Sequence, residues 1–143
     1  MRSTFALLVI TLVVIATGLA LYSALGIARN ADDPAAGRAV SSFGAALDQH
    51  DGSRACALLT ANAQSKLEEE RKKPCAQAVE EVAPDLAPGD GVTRIDVAES
   101  SAFVTTSRGP TFFLDKIGRA WKLSAAGCAK QAGDAPYSCA LEG

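Results

Sequence analysis

Residues 5–28 form a run of twenty-four residues without a charged side chain. A helix can satisfy the hydroxyls of Thr11, Thr17 and Ser23 internally. At about 1.5 Å rise per residue the run spans roughly 36 Å, more than the ~30 Å hydrocarbon core of a bilayer. Apolar cores of cleaved signal peptides are about 7–15 residues long, so the length predicts a retained single-pass anchor. Arg2 precedes the run and Arg29 follows it, with Asp32 and Asp33 just beyond. This weak positive-inside bias predicts an N-terminus in the cytoplasm and the remainder of the chain outside. The alternative is a secretory signal cleaved near Ala28, for which Gly26 and Ala28 supply small residues. No cysteine precedes Cys56, so lipoprotein processing lacks its thiol. On either reading, residues 1–30 are the anchor or signal segment, and residues 31–143 fold as an extracytoplasmic domain.

That compartment sets the reading of the four cysteines, Cys56, Cys75, Cys128 and Cys139. An even count in an exported domain of this size predicts two disulfides, with three possible connectivities. Short loops close most readily, which favours Cys56–Cys75 and Cys128–Cys139. Zinc sites want cysteine pairs about two to four residues apart, and no such pair occurs here.

Charge excludes a further class. The chain has 14 Lys and Arg against 16 Asp and Glu. Setting aside Arg2 and Arg29 leaves 12 against 16, a net of −4 for the domain. A mildly acidic domain without a basic stripe is poorly suited to nucleic acid, because phosphate neutralisation needs clustered Lys and Arg. The sequence has a single His and lacks a GxSxG elbow, a phosphate-cradling glycine loop, HExxH and an EF-hand loop. No catalytic, cofactor-binding or metal-ligating set is therefore expected. His50 and Asp51 could be read as a general base and its orienting carboxylate. The simpler reading is a solvated helix end, where a His complements the dipole. The run from Lys66 to Lys73 reads in the same way, as a charged helix face with i,i+3 and i,i+4 pairing.

The hydrophobic pattern predicts helices first and strands after. Asp33-Pro34 supplies a capping carboxylate and a first-turn proline. Ala36, Val40, Phe43 and Leu47 then repeat on one helical face, and Gly52 is expected to take the left-handed stop. Ser53 is expected to cap a short helix carrying Cys56, Leu58 and Leu59. Thr60 is expected to cap a third, through Leu67 to about Lys72. Pro74 opens a fourth with Cys75, Ala78, Val79 and Val82. Residues 83–91 read as a loop. Four strands follow, over 93–97, 102–107, 111–116 and 120–125, joined by short turns that make antiparallel hairpins. Ile95, Val97, Phe103, Phe112, Leu114, Trp121, Leu123 and Ala125 are assigned to faces that alternate with Asp96, Asp115 and Lys122. Asp96 and Asp115 should therefore point away from the core. Phe113 lies opposite Phe112 and is either an exposed interface residue or covered by the tail. Residues 127–143 read as an irregular tail pinned by Cys128–Cys139. The fold class expected is α+β, with short helices packed on a four-stranded antiparallel sheet.

This order, ending in Trp121-Lys122-Leu123, resembles the nuclear-transport-factor-2-like (cystatin-like) cone fold over about residues 34–125. Three segments resemble those of small exported proteins of high-GC bacteria. They are residues 55–60 (ACALLT), 121–128 (WKLSAAGC) and 136–143 (PYSCALEG). The resemblance implies fold and location. It does not choose an activity, because cone folds host isomerases, dehydratases, steroid binders and interaction domains alike.

The expected function is that of a membrane-anchored, non-catalytic binding or accessory domain. Its partners are the lipid bilayer, through residues 5–28, and another protein or envelope component at the membrane. The alternative is a small-molecule carrier or isomerase-type enzyme with a cone-shaped cavity, which needs convergent polar groups.

Overall fold

The computed structural model describes residues 33–143 other than 90, 134 and 135. The chain divides into two units, Met1–Ala31 and Asp32–Gly143. The apolar run over 5–28 lies outside the described residues. Among the described residues no helix is long and apolar enough to cross a membrane.

The domain is α+β. Helix α1 (Pro34–Asp48) starts where a carboxylate and a proline meet: the Ala35 amide donates to Asp33 Oδ1 at 2.9 Å. Its buried stripe holds Ala36, Val40, Phe43 and Leu47, as the spacing predicts, together with Gly37, Gly44 and Ala46. The stop differs from expectation. His50, not Gly52, takes the positive φ, at 53°. Asp51, not Ser53, caps α2 (Gly52–Ala57), accepting from the Arg54 amide. Gly52 is instead required for close packing, since a Cβ there would lie 2.1 Å from the Ala76 carbonyl oxygen.

Thr60 caps α3 (Ala61–Arg71), accepting from the Ala63 amide. Ala63 and Leu67 are its buried residues, and its charged run is solvated. Pro74 precedes α4 (Cys75–Glu81), and the Cys75 amide donates to Glu68 Oε1 of α3 at 2.8 Å. Residues 83–91 are not wholly loop. One helical turn, α5 (Ala83–Leu86), places Leu86 in the core with no exposed surface.

The sheet has five strands rather than four, in the order β1-β2-β3-β4-β5, every neighbouring pair antiparallel. The strands are β1 (Val92–Ala98), β2 (Ser101–Thr106), β3 (Thr111–Ile117), β4 (Ala120–Cys128) and β5 (Leu141–Glu142). Two residues are too few to show an alternating pattern, which is why β5 is not legible in the sequence. The Cys128–Cys139 disulfide and the Ala129–Ser138 bridge turn the tail back onto β4, and Leu141 is buried beside Ala126.

Two strand faces also differ. Ala102 and Val104 face the helices, while Phe103 is half-buried on the other side, paired in register with Phe113. In β4, Leu123 lies opposite Leu114 but Ala125 lies opposite Phe113, so one extra residue bulges out. Because side chains alternate with period 2, that residue reverses the faces. Trp121 and Leu123 are buried before the bulge and Ala126 and Cys128 after it, and Ala125 turns outward. A second register shift follows towards Cys128, where Gly127 adopts φ 69°.

The core lies between the helices and the inner sheet face. Phe43, Val40 and Val79 meet Phe112, Leu114, Leu123 and Val104, all fully buried. Trp121 is 5% exposed and anchors one end, its indole N–H donating to Asp33 Oδ2 at 2.8 Å. The structure joins Cys56 to Cys75 and Cys128 to Cys139, and no described cysteine is free.

Candidate functional site

The outer sheet face carries the most distinctive side-chain arrangement. Phe103 of β2, Phe113 of β3 and Tyr137 of the tail form a triangle of rings. Their centroids are 5.2, 5.6 and 5.5 Å apart and every pair is edge-on. Such T-shaped contacts are the geometry that ring quadrupoles favour. The chain sets them there locally. Register places Phe113 opposite Phe103, and the Cys128–Cys139 disulfide with the Ala129–Ser138 pairing carries Tyr137 over both. Phe113 is thus partly covered by the tail, one of its two expected alternatives.

Beside the triangle lies an open groove of about 410 Å³, lined by Phe113, Ser124, Ala125, Pro136, Tyr137 and Glu142 among others. The bulge in β4 contributes directly, because it turns Ala125 to this side. Its lining is mostly apolar and aromatic, with Ser124 and Glu142 supplying polar side chains. The groove thus joins aromatic area to a few polar groups. Pro136 and Tyr137 carry no hydrophobic periodicity. Their spacing from Cys139 is the signal that ties them to the end of β4.

The remaining candidates are dispersed. His50 and Asp51 are both exposed, and the Asp51 carboxylate is engaged as the α2 cap. Asp96 points outward, as expected, and pairs with Arg94 at 2.7 Å. Asp115 points the same way and accepts from Ser101 Oγ at 3.2 Å. Among the described residues no group of three or more His, Cys, Asp or Glu is placed to hold a metal ion. A second cavity of about 230 Å³ lies between α1 and the segment before β1, with Val40, Ser41, Asp48, Pro88 and Thr106 among its lining.

The electrostatic cluster belongs to the core's edge. Asp33 Oδ2 accepts from Trp121, and Lys116 Nζ lies 3.6 Å from the same oxygen and 5.3 Å from the indole centroid. The Trp121 indole N–H, then the Ala35 amide, and also the Lys116 charge hold the Asp33 carboxyl below the ordinary carboxylate range, against some desolvation. Its geometry ties α1 to the β3–β4 hairpin. Comparison of the chain with family models, curated proteins and solved structures returned no match.

Proposed function

We propose that this chain is an extracytoplasmic, membrane-anchored domain that acts by binding, and that a partner docks in the groove on the outer sheet face. The observation that carries the reading is the groove itself. An aromatic wall held by a disulfide-closed tail offers contact area whose rotamers are already restricted, so docking costs little side-chain entropy. The two disulfides fit an oxidising compartment, and the uncharged run over 5–28 supports the anchor.

A photo-crosslinking residue at exposed Pro136, in the full chain in its native membrane, tests the site. A discrete adduct is expected from position 136 and absent from position 69, exposed on α3. Equal labelling from both positions, or none from position 136, overturns the assignment.

A further inference from the structure

The sheet's two edges are unlike. On the β4 side, the Thr60 amide donates to the Leu123 carbonyl and the Leu123 amide to the Leu58 carbonyl, each at 2.9 Å. Strand β5 covers the next residues. Both devices remove open backbone from that edge. On the other side β1, seven residues long, ends the sheet, and among the described residues no segment pairs with its outer edge. Proteins usually blunt such an edge with charged side chains, Lys above all, with Pro, with an inward-pointing charge or with a bulge. β1 has no Lys and no Pro, and its register shift lies at its start, between Val92 and Arg94. Residues 94–98 run in unbroken register and include the β-branched Ile95 and Val97.

The charges on β1 are self-complementary. Arg94 and Asp96 lie two apart on the outer face, their side chains 72% and 47% exposed, and pair with each other within the chain, a pairing that two copies can exchange for the same contacts across the edge. We propose that two copies of this chain associate edge to edge through β1, antiparallel about a twofold axis at Ile95. That axis sets Arg94 of each copy opposite Asp96 of the other. Residues opposite one another must share a sheet face, so the axis must pass through a residue. Moving it to Arg94 sets Arg94 against Arg94, and moving it to Asp96 sets Asp96 against Asp96. Like charges directly opposite are destabilising, whereas opposite charges stabilise. Charge therefore selects Ile95 as the centre. There Ile95, half-buried against α1 near Gly37, meets its own copy and loses its remaining contact with water. The result is one continuous ten-stranded sheet with both sets of helices on the same side.

The test is the sedimentation mass of the full chain in density-matched detergent, with far-UV circular dichroism as the control for folding. Wild type is expected to pass from monomer to dimer as concentration rises. Arg94→Asp and Asp96→Arg should each remain monomeric with an unchanged spectrum, and the double exchange should restore the dimer. A wild type monomeric at every concentration overturns the proposal, as does a dimer indifferent to both single charge reversals. Should either single variant fail to fold, hydrogen exchange of wild type decides. Protection confined to the β1 amides and rising with concentration supports the interface, and concentration-independent β1 exchange rejects it.

Discussion

Asp33 accepts from the Ala35 amide through one carboxylate oxygen and from the Trp121 indole through the other, with Lys116 alongside. Its cap on α1 is readable from Asp33-Pro34. The bond to Trp121, eighty-eight residues away, is not, because nothing local marks an indole N–H for a distant acid. A carboxyl whose folded pKa is lowered stabilises the fold above its unfolded value of about 4, and that contribution is lost as pH falls through the lower folded value. The Tm advantage of wild type over Asp33→Asn is therefore expected to be present near neutral pH and to close on acidification below about pH 4. Thermal melts of both proteins across that range check it. Gly52 shows the opposite mismatch between appearance and role. Its sequence context suggests a helix stop, but the space it lacks is taken by the Ala76 carbonyl. Gly52→Ala is expected to destabilise by about 1–3 kcal/mol, the usual cost of overpacking, measured by urea unfolding.

At the scale of elements, α1 to α4 were legible, the single turn α5 was not, and the sheet faces were legible only in part. α1 has a full heptad-like stripe, and Thr60 and Pro74 open α3 and α4 where capping chemistry puts them. In β2, Ala102, Phe103 and Val104 are consecutive apolar residues, so a period of 2 fits either face. Pairing with β3 decides, and it sends Phe103 outward to Phe113. The bulge that turns Ala125 into the groove leaves no mark in an alanine-rich run. The disulfides were legible as short loops. Cys56→Ser is expected to lower stability by about 3 kcal/mol from lost loop closure, read by denaturant melts of the oxidised proteins. The Cys128→Ser/Cys139→Ser double variant is expected to keep its helical far-UV signal while the tail after β4 is cleaved earlier in limited proteolysis. That pattern would separate a tail clamp from a support of the whole fold.

For the whole molecule, the paired cysteines fit an oxidising compartment, and the uncharged run is the basis of the proposed anchor. Full-length chain is expected to stay in the membrane pellet through alkaline carbonate, and a chain lacking residues 1–30 to be released. Recovery of the full chain in the supernatant would contradict the anchor. Alkylation before reduction should label no described cysteine in material from the native compartment.

Cysteine spacing, caps and the change of period from 3.6 to 2 are local quantities, and from them the chain alone determines its disulfide pairing, most of its helical half and the presence of an antiparallel sheet. Which face Phe103 and Ala125 occupy, the union of Tyr137 with Phe113, the fifth strand and the exposed edge of β1 were decided only in three dimensions. Each depends on register between segments distant in sequence, and register is set by packing and closure, which no single segment encodes.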